Sequence, residues 1–359
     1  MIETKRRSYW PPASAAVLAL AALGIVPDSQ AGSLLNACFA PDALNARPGE
    51  ATPVKGDHRF DKPPADDGTL ARAANPVASA LRGAIRRVDL PPKSRKLVAL
   101  TLDLCEQPGE RAGYDGAIID YLRANNIKAT LFAGGKWMRS HEDRTRQLMA
   151  DPRFELANHS EAHRNLRLLS GAALQNEIAG PQQAYEGIRT RFAAEQCVRA
   201  DPAAAGAIPP GLSLFRFPYG ACNQASLDAV NDAGLLAIQW DLSTGDPSPA
   251  QSAKAIAEEM IRHAKPGSII IAHANGRGYH TAAGLPLAIP ALRAKGFEFV
   301  TVSELLSAGK PVIAPTCYDS RPGDTDRYDH PLALRHPIKS QTLGGWVPTI
   351  SKPAPATRQ

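Results

Sequence analysis

The chain has 359 residues, enough for about two average domains, although one α/β barrel can use most of that length. Hydrophobic residues at 44% and charged residues at 21% exclude a chain disordered throughout, and the 28 glycines and 31 prolines show no collagen-like period. Forty-one Lys and Arg against 35 Asp and Glu give +6, a balance that suits an acidic polymer. No Lys/Arg stripe interleaved with aromatics points to nucleic acid.

Residues 1–31 read as an export signal. Lys5, Arg6 and Arg7 form the basic start, Ala13 to Val26 the apolar run, and Ser29-Gln30-Ala31 a small-x-small cleavage site. The apolar run is shorter than the roughly 20 residues a bilayer core requires, which argues against a retained anchor. The chain is therefore expected to be periplasmic or secreted, with no stable membrane insertion after cleavage. Five cysteines (Cys38, Cys105, Cys197, Cys222 and Cys317) meet an oxidising compartment, and their odd number leaves at least one unpaired. The expected pairs are Cys197 with Cys222 and Cys38 with Cys317, with Cys105 left in the active site.

Residues 32–95 hold eight prolines and read as an irregular extension with at most one short helix near Val77 to Arg87. From Lys96 the texture changes. Strands are predicted at Leu97–Asp103, Lys128–Ala133, Phe154–Asn158, Leu214–Phe217, Leu235–Asp241, Ser268–His273 and Glu298–Thr301. Helices are predicted at Tyr114–Asn125, Glu142–Ala150, Ala172–Phe192, Gln224–Ala233, Pro249–His263 and Ala282–Ala294. Seven strands alternating with helices imply parallel βαβ units in a barrel or doubly wound sheet, here over residues 96–309. Residues 310–359 carry eight more prolines and read as a partly ordered tail.

In parallel α/β folds the chemistry collects at the carboxyl ends of the strands. The first predicted strand ends on Asp103, Leu104, Cys105 and Glu106. The third leads into His159 and His163, which share a face if the chain turns helical there, an arrangement suited to a divalent metal with zinc the default. The fourth leads into Arg216-Phe217-Pro218-Tyr219-Gly220, a rigid turn able to aim backbone N–H groups. The fifth gives Trp240 to Asp246, and the sixth ends on His273. No Gly-x-Ser-x-Gly elbow argues for a serine nucleophile.

This ordered set resembles the polysaccharide deacetylases, carbohydrate esterase family four, over roughly Lys96 to Leu306. The resemblance implies a distorted (β/α) barrel of about seven parallel strands, flanked by the Pro-rich extensions. It implies His159 and His163 as metal ligands and Asp103 as general base. Arg216 would hold that carboxylate, the backbone N–H of Tyr219 would steady the oxyanion, and His273, tuned by Asp246, would be the general acid. The implied activity is metal-dependent removal of N-acetyl groups from an N-acetylglucosamine-type polysaccharide such as peptidoglycan, with release of acetate. The alternatives are hydrolysis of a non-sugar amide or a non-catalytic glycan-binding protein on the same fold. Leu104 stands where the family carries a second metal-binding aspartate. The replacement ligand is expected to be Glu106, Asp103 doubling as ligand, or water. Pro247 stands where a tryptophan commonly follows the Asp246 position, so Trp240 or Trp137, with Pro218, is expected to shape the substrate groove.

Overall fold

The computed structural model describes residues 34–63 and 75–330; the expected export signal, residues 1–31, and the last 29 residues lie outside the described residues. Twelve short strands are present among them: β1 (Val54–Lys55), β2 (Ala84–Asp89), β3 (Lys96–Leu104), β4 (Glu110–Arg111), β5 (Ala129–Ala133), β6 (Phe154–Asn158), β7 (Leu214–Phe215), β8 (Leu236–Ile238), β9 (Leu242–Ser243), β10 (Ile269–His273), β11 (Phe297–Phe299) and β12 (Lys310–Ala314). Seven of them, in the order β2-β8-β7-β6-β5-β3-β10, pair side by side and parallel. A bridge between Arg87 and Ser268 links the two ends of that path, so the sheet curls into a distorted (β/α) barrel. The closure is tight at Gly267, whose φ is +89° and where a Cβ would lie 1.7 Å from the Val88 carbonyl oxygen.

The period-two alternation of the strands separates two apolar layers. In β3, Leu97 and Ala99 join Ile85, Phe132, Ile238, Ile269 and Ile271 inside the curl. Val98, Leu100, Leu102 and Leu104 join the larger layer beneath the surrounding helices. The six helices predicted from sequence are present: Gly116–Ala124, Glu142–Ala150, Gly171–Ala193, Gln224–Asp232, Ala253–His263 and Thr281–Ala294.

Two expectations change. The region 77–87 is not a helix but a turn of 3-10 helix followed by β2. Apolar residues at 77, 81, 84, 85 and 88 suit a helical period, but Gly83 at φ +126° breaks it, and pairing with β8 and β12 takes Ala84–Asp89 into the sheet. The strand expected at Glu298–Thr301 is β11, which pairs with the first residues of β3 and lies off the main path. The sheet thus extends beyond both expected domain boundaries, through β2 before residue 96 and β12 after residue 309.

The extensions pack on the barrel. Leu34 and Leu35 are buried in the outer apolar layer, and β1 pairs with β4. Disulfides join Cys38 to Cys197 and Cys222 to Cys317, which replaces both expected pairings. Each extension is stapled to the barrel rather than to the other. Cys105 is the free, buried cysteine.

Candidate active site

Asp103 and His273 are cross-strand partners at the carboxyl ends of β3 and β10, so their side chains rise on the same face. The Arg216 backbone N–H donates to the Asn158 carbonyl (2.8 Å), which brings the ends of β6 and β7 to the same rim. Arg216 is fully buried, and its Nη1 donates to Asp103 Oδ1 (2.8 Å) and to Thr101 Oγ1 (2.7 Å). Its guanidinium lies 4.0 Å from the Phe132 ring centroid, a platform that fixes its plane. Burial by itself would raise the Asp103 carboxyl, but the adjoining His159 and His273 imidazoles, the Arg216 charge and the Arg216 hydrogen bond hold it below its ordinary value. Asp103 is therefore an anion at neutral pH.

His159 is 1% exposed, and its Nδ1 lies 2.9 Å from the Arg216 carbonyl oxygen. A carbonyl only accepts, so Nδ1 carries the proton and Nε2 presents its lone pair, the tautomer a metal ligand needs. That Nε2 is buried without a hydrogen-bond partner and lies 3.4 Å from Asp103 Oδ2. His163 Nδ1 is likewise buried and unpartnered. Burial drives both imidazoles toward the neutral form, with Asp103 partly opposing this at His159 and neighbouring positive charges reinforcing it at His163.

The chain does not turn helical after β6. Ser160 and His163 adopt left-handed φ values of +63° and +53°, and the bend is tied by Ser160 N–H to Asn158 Oδ1, His163 N–H to Ser160 Oγ and Ala162 N–H to Glu177 Oε2. The bend brings the histidine rings to 5.0 Å between centroids by another route. The Cys105 Sγ completes a group in which one atom from each of Cys105, His159 and His163 lies within 4.8 Å of the others.

His273 Nδ1 lies 2.9 Å from Asp246 Oδ1, while Asp246 Oδ2 accepts from the His273 backbone N–H (2.7 Å) and from Thr281 Oγ1 (2.6 Å). Burial would lower the His273 pKa, but the Asp246 charge and hydrogen bond, with Asp103 beyond, raise it above the ordinary imidazole value. Pro218 is buried in the turn that sets Tyr219 at φ +60°, a left-handed conformation that re-aims its peptide. Tyr219 packs against His163 on one side and stacks on Tyr328 on the other, with centroids 5.0 Å apart.

Three expected roles do not fit this geometry. Glu106 lies outside the close group of ligand-capable atoms formed with His159 and His163; its Oε2 accepts from the Ala112 N–H (3.0 Å) and Ser140 Oγ (2.7 Å), and its Oε1 faces Lys136 Nζ at 3.7 Å, so it does not take the expected ligand position. Burial pushes its carboxyl up to about 7. Trp137 is fully buried, donates to the Gly113 carbonyl and stacks on His141; it is core, not groove. Trp240 is nearly buried, its Nε1 bonded to Asp319, with Gly220 opposite, where a Cβ would come within 2.8 Å of the indole. It buttresses the turn rather than offering an open stacking face. Conversely, Thr101, Thr281 and Tyr328 had no motif to betray them, because each reaches the site through a long-range contact.

A polysaccharide deacetylase family model matches residues 91–238. The chain is 26% identical over 217 residues to a peptidoglycan-N-acetylglucosamine deacetylase of Bacillus cereus, covering 60% of this chain and 90% of the relative. It is 28% identical over 193 residues to a chitooligosaccharide deacetylase of Azorhizobium caulinodans, covering 50% and 82%. In fold it is similar to a solved peptidoglycan N-acetylglucosamine deacetylase (TM-score 0.51, 23% identity, 64% of this chain and 95% of the other). It is also similar in fold to a pseudoenzyme of carbohydrate esterase family four from Bacillus anthracis (TM-score 0.50, 21% identity, 64% and 70%).

Proposed function

The chain belongs, through residues 91–238, to the polysaccharide deacetylase family, and from that premise we propose that it is a metal-dependent hydrolase removing N-acetyl groups from an N-acetylglucosamine-type polysaccharide. The observation that carries this reading is the pair of oppositely tuned proton-transfer groups: anionic Asp103 held by Arg216, and His273 favoured in its charged form by Asp246. A base and an acid with environments that push them apart are what amide hydrolysis needs.

His159 and His163 would hold the cation, as the buried, unpartnered ring nitrogens indicate. Such a cation supplies Lewis-acid polarisation of the acetyl carbonyl and lowers the pKa of water toward about 7. Asp103 takes the proton of the attacking water. The oxyanion is steadied by the Tyr219 backbone N–H, a type of contact worth about 3–4 kcal/mol per donor in comparable sites. His273 gives its proton to the departing sugar amine, and acetate leaves. Tyr219 and Tyr328 form the near wall for the sugar, and Pro218, expected to shape the groove, is instead buried in the turn.

Peptidoglycan is the favoured substrate, because the Bacillus cereus relative is a peptidoglycan-N-acetylglucosamine deacetylase and because a chain of charge +6 attracts an acidic polymer. Zinc is the favoured ion, and the exported location rests on residues 1–31. Among the described residues no helix is long and apolar enough to cross a membrane. Leu104 favours a second reading, a glycan-binding protein without chemistry, since fold alone does not carry activity. Against it stands the complete acid–base set, for which a binder has no use. Acetate release from peptidoglycan, N-acetylglucosamine oligomers and acetylated xylan separates these readings. Release from the first, faster than from the others, is expected; binding to all without acetate supports the second reading.

A further inference from the structure

We propose that the Cys105 thiolate is the third protein ligand of the metal site, completing a His2Cys set with His159 and His163. The proposal rests on the metal-dependent reading above and concerns how this chain replaces the carboxylate that Leu104 lacks.

Strand parity gives the first argument. Thr101 and Asp103 lie on the face of β3 that carries Leu97 and Ala99 into the curl, and Cys105 follows with the same parity just beyond the strand end. Leu104 has the opposite parity and is buried in the outer apolar layer with Leu100, Leu102 and Trp137. In this chain, then, the side chain of this strand end that lies beside the histidines is Cys105, while Leu104 is turned into the apolar layer.

Geometry gives the second. Cys105 is 2% exposed, and its Sγ lies within 4.8 Å of one ring nitrogen of each histidine. A tetrahedral zinc ion, with Zn–N of about 2.0–2.1 Å and Zn–S of about 2.3 Å, holds its ligands roughly 3.3–3.6 Å apart, so the set closes by about 1 Å. His159 is nine-tenths buried and more, with its Nε2 unpartnered beside this group, and His163 Nδ1 is also buried without a partner. Asn275, fully buried, donates from Nδ2 to the Cys105 carbonyl (2.8 Å) and to Sγ (3.0 Å), the kind of outer hydrogen bond that orients a thiolate ligand.

Competing uses of the thiol are closed. The other four cysteines are paired in the two disulfides, so Cys105 has no disulfide partner. Glu106, the neighbouring carboxylate, lies outside this group: its Oε2 accepts from Ala112 and Ser140 and its Oε1 faces Lys136 Nζ at 3.7 Å. On binding, the S–H bond breaks, its proton passes to solvent, and the sulfur lone pair forms the bond to the cation. A His2Cys set favours borderline and soft ions such as Zn²⁺, Co²⁺ and Cd²⁺ over Mg²⁺ and Mn²⁺.

The test is Co²⁺ substitution of the chelator-stripped full chain with its disulfides intact. A thiolate-to-cobalt charge-transfer band of one-thiolate intensity is expected in the near ultraviolet, and with the other sulfurs oxidised only Cys105 can supply it. Cys105→Asp is expected to bind Co²⁺ without that band and to lose most of the preference for Cd²⁺ over Mn²⁺, which in the native chain should be at least about 10²-fold. Stoichiometric Co²⁺ with ligand-field bands but no charge-transfer band overturns the assignment of Cys105 and leaves the metal site standing. Failure of both native chain and Cys105→Asp to bind any of these ions, with native circular dichroism, overturns the metal reading itself. Because the decisive band is read on the native chain, a poorly folded variant does not decide the question.

Discussion

Arg216 is the residue that holds the Asp103 carboxylate, the proposed general base. It is a fully buried cation whose nearest anion is Asp103, so removing either partner strands the other in a low-dielectric interior. Arg216→Met is expected to lower stability by about 3–5 kcal/mol, read by denaturant unfolding, and to abolish acetate release. Asp103→Asn keeps the volume and a hydrogen bond from Arg216 but removes both the base and the countercharge, and should cut kcat by about 10²–10⁴ while also lowering stability, because the buried Arg216 cation is left without its anion. The Asp246–His273 pair gives a sign-specific test. His273 is raised above its ordinary 6.5, so its acid form is fully present below that pH and is lost only as pH rises through the higher folded value. Asp246→Asn removes the group that raises it, and the alkaline limb of the kcat profile should move to lower pH; an unmoved limb would show that another group sets it.

At the scale of elements, strand alternation explains both what is assembled and what could be read in advance. The central strands were legible because each is a short apolar run ending at a chemistry-bearing residue, as in Leu97–Asp103 and Ser268–His273. β2 was not, because its apolar spacing fits a helix as well, and only pairing with β8 and β12 decides between the two. The histidine pair was found, but its conformation was not. A helix and a bend with two left-handed residues can both bring positions four apart together, and the side-chain ties from Asn158, Ser160 and Glu177 that select the bend are invisible in a spacing. Glu106 and Trp137 were misread for a common reason: a residue type at the rim says nothing of which buried partner claims it. Barrel closure adds a prediction. Gly267→Ala puts a methyl group into the Val88 carbonyl at a φ that L residues rarely adopt, so it should destabilise by about 2 kcal/mol or more, whereas alanine at the equally left-handed but open Gly296 should cost clearly less.

For the molecule as a whole, the described parts of the two extensions are structural parts of the barrel. Cys222–Cys317 fastens the C-terminal segment to the turn that follows Tyr219, and the same segment carries Asp319 to Trp240 and Tyr328 to Tyr219. Replacing both cysteines by serine should cost about 2–5 kcal/mol of stability and raise KM more than it lowers kcat, because the wall carrying Tyr328 loosens while the acid–base groups stay fixed. An equal stability with unchanged KM would show that the segment does not shape the groove. The central claim is that a cation held by the histidine pair and proton transfer by Asp103 together hydrolyse an N-acetyl group. Its most direct test is acetate release from peptidoglycan by the chelator-stripped chain, before and after one equivalent of Zn²⁺, alongside Asp103→Asn and His159→Ala. Release restored by zinc in the native chain and absent in both variants is the predicted result; release that ignores chelation, or that survives in Asp103→Asn, would contradict the account.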